Sequence, residues 1–249
     1  MQLKGKTALI SGAGRNNGKA IALTFAREGA DVILIAKQRR ENLEQVAEQC
    51  ENYGVRALPL LADVGNPDEV RRVVKAGLQR FGKVDSLVCV AATRNYRSLC
   101  EYSDEEWVET FAVNVHSTFY LAKALLPGMV ERKSGNIIAL GAVLSLTAHG
   151  DKPLETACKH GLYGLIKSMA LEFGPHGIRV NLLVPGNIDN ERADPAWYKA
   201  REAKGETPPT LLGRKGTTQE VANVALFLAS DQSSYVTGDR IICGGGKYI

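Results

Sequence analysis

The chain lacks the features that mark secreted, metal-binding and membrane-spanning proteins. It has five cysteines in 249 residues, an odd number without a Cys-x-x-Cys pair, which argues against a disulfide framework and against a zinc site. No apolar run approaches the roughly 20 residues that a transmembrane helix needs, and no signal peptide precedes the first apolar segment. We therefore expect a cytoplasmic protein that binds no metal and no membrane.

Charge and composition exclude further classes of partner. The net charge is +4 and the basic residues are dispersed, with one short group at Lys37 to Arg40, so nothing favours nucleic acid binding. Hydrophobic residues make up 45% of the chain and charged residues 23%, as in ordinary globular proteins. Internal repeats and low-complexity segments are absent, and we predict that residues 1–249 form a single domain.

Short apolar runs alternate with amphipathic segments along the chain. The predicted strands are 7–11, 31–36, 56–62, 86–90, 136–140, 179–184 and 239–243. The predicted helices are 18–28, 42–53, 67–81, 107–133, 154–173 and 219–229. Uninterrupted apolar strands that alternate with helices are typical of a parallel sheet covered on both faces. The pattern predicts an α/β protein with a doubly wound parallel sheet, a single-domain Rossmann fold, whose ligand lies beyond the carboxyl ends of the strands.

A polar segment, 189–209, interrupts this alternation directly after the sixth predicted strand. It is long, charged and without clear periodicity, which is typical of a lid that closes over a substrate. An ordinary surface insertion is the alternative. The position of the segment at the carboxyl end of a strand favours the lid.

The first predicted strand runs into a glycine-rich turn, Ser11 to Gly18, which reads SGAGRNNG. Gly12 and Gly18 allow the backbone to approach a pyrophosphate closely, and the helix that follows offers unpaired N–H groups at its N-terminus. The turn therefore indicates a dinucleotide site. The alternative is a glycine-rich turn that binds no nucleotide.

The end of the second predicted strand indicates which dinucleotide is bound. An acidic residue there usually bonds the ribose 2′-hydroxyl of NAD(H). In this chain Ala36 takes that place, Lys37 and Arg39 follow, and Arg15 lies on the glycine-rich turn. Cations without an acid favour a 2′-phosphate, so we predict NADP(H) in preference to NAD(H). A solvated basic turn is the alternative.

Further motifs extend to the C-terminal region. Asn16 lies between the glycines of the turn, 173–181 reads FGPHGIRVN, and 227–231 reads FLASD. With these motifs the chain resembles the short-chain dehydrogenase/reductase family over essentially its whole length, with Asn16 in place of the middle glycine of a Gly-x-x-x-Gly-x-Gly turn. The resemblance implies a set of cofactor-binding residues: Gly12, Arg15, Asn16, Gly18, Lys37, Arg39, Asp63, Ala91, Lys159, Pro185, Gly186 and Ile188.

The same resemblance implies an altered catalytic set. Reactions of this family use an asparagine, a serine, a tyrosine and a lysine, and Asn114 and Lys159 match the first and the last. The tyrosine position, four residues before the lysine, is Glu155, and the serine position is Ala142. Ser145 could supply a substitute hydroxyl, or it is a loop serine bonded to its own backbone.

Glu155 lies on the same predicted helical face as Lys159. The pair is either an exposed i, i+4 ion pair or part of the active site, which the resemblance favours. An ionised carboxylate is a poor proton donor to a carbonyl, but it tolerates an iminium or amine substrate and can act as a base. Tyr163 also precedes a lysine by four residues, but an alignment on Tyr163 would displace every later motif, so we interpret it as a packing residue.

Three functions remain open at this point. The first is an NADP(H)-dependent oxidoreductase that reduces a carbonyl or imine. The second is a non-redox lyase or isomerase with Glu155 as base, and the third is a catalytically silent nucleotide-binding protein. The resemblance also implies self-association, as a homotetramer or dimer. Arg94, Arg97 and Arg192 suggest a small anionic substrate, although lone arginines near a lid are usually solvated.

Overall fold

Seven parallel strands form one sheet in the computed structural model, which describes residues 1–191, 203 and 210–246. The strands are β1 (Thr7–Ser11), β2 (Asp31–Ala36), β3 (Ala57–Leu61), β4 (Ser86–Cys89), β5 (Gly135–Leu140), β6 (Ile178–Pro185) and β7 (Arg240–Cys243). Their order in the sheet is β3-β2-β1-β4-β5-β6-β7. The strand order reverses between β1 and β4, which is where doubly wound sheets bind ligands. The predicted Rossmann fold is confirmed.

Helices cover both faces of this sheet. They are α1 (Asn16–Arg27), α2 (Arg40–Glu51), α3 (Pro67–Phe81), α4 (Asp104–Phe111), α5 (Ser117–Glu131), α6 (Pro153–Phe173) and α7 (Thr218–Ala229). Helix α3 shows how the sequence sets such limits. The Asn66 side chain accepts hydrogen bonds from the first backbone N–H groups, Pro67 occupies the first turn, and Gly82 ends the helix in the left-handed conformation.

The single helix predicted over 107–133 is instead two helices joined by a π-helical turn. Helix α4 ends at Phe111, the turn spans Ala112–His116, and α5 follows directly. Inside the turn Asn114 is buried. A π-helical turn depends on tertiary contacts rather than on the spacing of apolar residues, so hydrophobic periodicity alone does not reveal it.

The apolar core lies in two layers, one on each face of the sheet. Neighbouring residues of a strand enter opposite layers, as Leu9 and Ile10 of β1 do, and both are fully buried. Because both faces are covered, the strands are apolar at successive positions rather than at alternate ones. The resulting rigid sheet fixes the loops at its carboxyl edge.

Most of the predicted lid, 192–202 and 204–209, lies outside the described residues, and so does Arg192. Within the part of the chain that the structure describes, no helix is both long and apolar enough to cross a membrane.

Candidate active site

A cleft of ≈ 1700 Å³ opens along the carboxyl edge of the sheet. It runs from the ends of β2 and β3, across β1 and β4, to β5 and β6. All of the residues predicted to contact the cofactor line it: Gly12, Arg15, Asn16, Gly18, Lys37, Arg39, Asp63, Ala91, Lys159, Pro185, Gly186 and Ile188. The fold thus brings into one cleft residues that are far apart in the sequence.

The glycine-rich turn has no room for side chains at its two outer glycines. A Cβ on Gly12, whose φ is +68°, would lie 2.8 Å from the backbone nitrogen of Ala91. A Cβ on Gly18 would lie 2.0 Å from the carbonyl oxygen of Gly12. The Ser11 hydroxyl accepts hydrogen bonds from the N–H groups of Val90 and Ala91, which ties the turn to the end of β4. The backbone of the turn is therefore packed tightly on itself and on the end of β4, as only glycine allows, and both glycines line the cleft.

The N-terminus of α1 points into the same part of the cleft without a side-chain cap. Arg15, the residue before α1, is extended, and no side chain in the part of the chain that the structure describes accepts a hydrogen bond there. The first turn also contains no acidic residue. Free N–H groups together with the positive end of the helix dipole form an anion site.

Basic side chains surround the end of β2. The ammonium of Lys37 lies 2.6 Å from a carboxylate oxygen of Asp63. A hydrogen bond to Asp63 raises the pKa of Lys37. Burial alone would raise the pKa of Asp63, but the hydrogen bonds from Lys37 and the Gly65 backbone lower it below its usual value. Arg15 and Arg39 are exposed at the cleft rim. Three cations thus line this part of the cleft.

Lys159 is a buried residue that lines the cleft. It lies on α6 and is 4% exposed, and its ammonium donates a hydrogen bond of 2.9 Å to the carbonyl oxygen of Leu140 at the end of β5. Burial lowers the pKa of Lys159 to about 8, against the opposing effect of the Glu155 carboxylate. The hydrogen bond to Leu140 thus holds the side chain in place.

Glu155 lies one helical turn before Lys159 and is also 4% exposed. One carboxylate oxygen, Oε1, is 3.7 Å from Nε of Arg94. The other, Oε2, has no hydrogen-bond partner among the described residues, although Glu155 lines the cleft. This burial is inconsistent with an exposed ion pair. A buried, incompletely paired carboxylate facing a cleft is typical of a functional site.

Asn114 and Ser145 are buried but are not among the described residues that line the cleft. Oδ1 of Asn114 accepts a hydrogen bond from the Thr93 N–H, and Nδ2 donates one to the Thr93 carbonyl. Oγ of Ser145 accepts one from the N–H of Ala142. Asn114 therefore supports the loop after β4, and the backbone-bonded alternative for Ser145 fits the geometry.

Two contacts in this region were not anticipated from the sequence. The pairing of Arg94 with Glu155 joins the loop after β4 to α6. The Asn16 side chain bonds the backbone of Glu191. No local pattern marks either contact, because each joins residues far apart in the chain. Tyr163, by contrast, packs against the core and the Arg240 guanidinium, and it is not among the described cleft residues.

Comparison with known proteins places this geometry in a family. A family model described as Enoyl-(Acyl carrier protein) reductase matches residues 12–247. The chain is 35% identical to 3-oxoacyl-[acyl-carrier-protein] reductase FabG of Thermotoga maritima, over 100% of both proteins. It also resembles the crystal structure of a short-chain type dehydrogenase/reductase from Mycobacterium marinum, with a TM-score of 0.91, 34% identity, and 99% and 96% of the two chains covered. The chain belongs to the short-chain dehydrogenase/reductase family.

The short-chain dehydrogenase/reductase assignment identifies the chain as an oxidoreductase and indicates a nicotinamide cofactor. L-Sorbose reductase from Gluconobacter frateurii, solved with NADPH and L-sorbose, is a further neighbour, with a TM-score of 0.90, 30% identity and 100% and 99% of the chains covered. The residues of this chain fit such a cofactor, because the glycine-rich turn and the N-terminus of α1, which has no side-chain cap among the described residues, line the same cleft.

Proposed function

We propose that this protein is an NADP(H)-dependent oxidoreductase with an atypical active site, in which Glu155 and Ala142 occupy the positions of the family's tyrosine and serine. Its reaction interconverts a carbonyl or imine with the corresponding alcohol or amine. The observation that carries the proposal is the burial of Glu155 beside Lys159 in the cleft, with Oε2 unpaired among the described residues. Family membership favours redox chemistry over the non-redox and the silent alternatives.

The residues that would hold the cofactor follow from the cleft. The uncapped N-terminus of α1 would bind the pyrophosphate. Lys37, Arg39 and Arg15 would face the 2′-phosphate. Lys159 would donate a hydrogen bond to the nicotinamide ribose. The bound cofactor supplies hydride chemistry, and the protein supplies position and proton transfer.

Glu155 would accept the proton in oxidation and donate it in reduction. In the oxidation direction, the O–H or N–H of the substrate would donate a hydrogen bond to the Glu155 carboxylate, and Glu155 would take that proton while the hydride leaves the carbon for the bound oxidised cofactor. The C–O or C–N bond then becomes a double bond. A carboxylate suits this direction because it accepts protons at neutral pH, whereas reduction requires Glu155 to carry a proton first.

Titration with NADPH and NADH tests the cofactor part of the proposal. We expect saturable binding of both, with NADPH the tighter, and Lys37→Ala should weaken NADPH about tenfold, the loss of roughly 1.4 kcal/mol of charge-assisted bonding. NADH affinity should not change. Lys75→Ala, an exposed lysine on α3, is the matched control. Equal weakening of both cofactors would show that Lys37 does not recognise the phosphate, and absence of binding at millimolar cofactor would refute the redox function.

We also propose a homo-oligomer, as a tetramer or dimer. Large apolar side chains are exposed on helices next to the cleft, including Val108 and Phe119 on α4 and α5 and Leu171 on α6. Burial of these side chains against a second copy would remove apolar surface from water. Light scattering on the purified protein measures the mass in solution, and the mass of a single chain would contradict the proposal.

A further inference from the structure

Asn16 connects two distant segments through both groups of its side-chain amide. Nδ2 donates a hydrogen bond of 3.1 Å to the carbonyl oxygen of Glu191. Oδ1 accepts one of 3.0 Å from the N–H of the same residue. The amide thus pairs with both polar groups of one residue's backbone, as neighbouring strands do. Two such bonds fix both the distance and the orientation of the two segments.

The two hydrogen bonds between Asn16 and Glu191, called the bridge below, cross the cleft. Asn16 follows β1, and Glu191 follows β6. In the sheet, β4 and β5 lie between these two strands. Because neighbouring strands are about 4.8 Å apart, the two segments leave the sheet roughly 14 Å from each other and meet over the ends of the intervening strands. Ala91 and Gly141, which follow those strands, line the cleft between them. The bridge therefore spans the opening over the predicted pyrophosphate position.

The backbone conformation of Asn16 is compatible with the bridge. Asn16 has a φ of +51°, in the left-handed region that asparagine tolerates better than most side chains. An asparagine at a helix N-terminus often accepts hydrogen bonds from the helix N–H groups. Here the amide bonds the backbone of Glu191 instead, and no side chain of a described residue caps α1. The N–H groups that would bind a pyrophosphate therefore stay available while the bridge is closed.

We propose that Asn16 and the Glu191 backbone form a latch that controls exchange of the dinucleotide. The inference rests on the proposed cofactor site. Both bonds form without any contribution from a ligand, so the latch impedes binding and release alike. A glycine at this position, as in the family's pattern, would leave the two segments unconnected. The latch would therefore act on the rates of binding and release.

Stopped-flow fluorescence with NADPH tests the latch. Asn16→Gly removes both bonds and accepts the left-handed backbone. Two exposed hydrogen bonds together contribute a factor of about ten. We expect the association and dissociation rate constants each to rise about tenfold. Lys133→Gly is the matched control, because Lys133 also has a positive φ, of +50°, but lies away from the cleft.

A second pair of variants changes Glu191, the other partner in the latch. Glu191→Pro removes the N–H that donates a hydrogen bond to Oδ1 of Asn16, and should raise both rate constants about threefold. Glu191→Ala keeps that N–H and should leave them unchanged. If wild-type protein binds NADPH and Asn16→Gly exchanges it at the wild-type rate, the latch is refuted and the cofactor site stands. A change in only one of the two rate constants also refutes the latch. If wild-type protein binds no NADPH, the proposed function itself fails.

Discussion

Replacement of Glu155 by glutamine should lower the rate of substrate oxidation about 10² to 10³-fold, within the range that a general base contributes. Glutamine keeps the size of the side chain and its contact with Arg94, but an amide cannot accept the proton from the substrate. Since Glu155 is not among the residues assigned to the cofactor, NADPH affinity should stay within about twofold. The measurement is the formation of NADPH with a panel of secondary alcohols and cyclic amines.

The matched control is Glu172→Gln on the same helix, where the carboxylate is exposed. It should leave the rate unchanged. If Glu155→Gln oxidises the same substrates as fast as the wild type, Glu155 is not the base. A rate that falls together with NADPH affinity would indicate a damaged cleft rather than a missing proton acceptor.

Replacement of Gly18 by alanine should lower both the stability of the fold and the affinity for NADPH. In Gly18→Ala the new Cβ would lie 2.0 Å from the carbonyl oxygen and 2.7 Å from the carbonyl carbon of Gly12. Backbone atoms cannot move aside as a flexible side chain can, so the glycine-rich turn must shift. We expect a loss of about 1–3 kcal/mol in the free energy of unfolding, as for other overpacked sites. NADPH affinity should fall more than about a hundredfold, because the glycine-rich turn is displaced.

Urea unfolding and NADPH titration measure the two effects separately. Gly161→Ala in α6 is the control, because a Cβ there meets no atom within 4 Å. It should stabilise the protein by about 0.5–1 kcal/mol, the ordinary gain of alanine over glycine within a helix. Wild-type NADPH affinity in Gly18→Ala would show that the cofactor does not approach this turn closely.

Much of the fold follows from local pattern. The apolar run of β1 and the capped, proline-started α3 have the predicted limits, 7–11 and 67–81. Their signals are local: continuous apolar residues for a buried strand, and Asn66, Pro67 and Gly82 at the helix ends. The division between α4 and α5 could not be predicted, because the burial of Asn114 depends on the loop after β4.

The candidate site was predictable where a short motif carries the chemistry. The glycine-rich turn and the position of Lys159 are of that kind. The environment of Glu155 is not, because its burial and its pairing with Arg94 depend on the docking of α6 against a loop remote in sequence. The hydrogen bonding of the Ser145 hydroxyl likewise depends on the folded chain, in which Oγ accepts a hydrogen bond from the backbone N–H of Ala142.

The strand order divides the cleft into two halves that can evolve separately. The loops after β1, β2 and β3 carry the turn at Gly12, the cation Lys37 and the carboxylate Asp63. The loops after β4 and β5, together with α6, carry Arg94, Ala142 and Glu155. Point substitutions in the second half can alter how a proton is handled without disturbing the first. Such an arrangement lets one nucleotide site serve new reactions, and Lys159 on α6, which is assigned both to the cofactor and to the catalytic set, is the residue least free to vary.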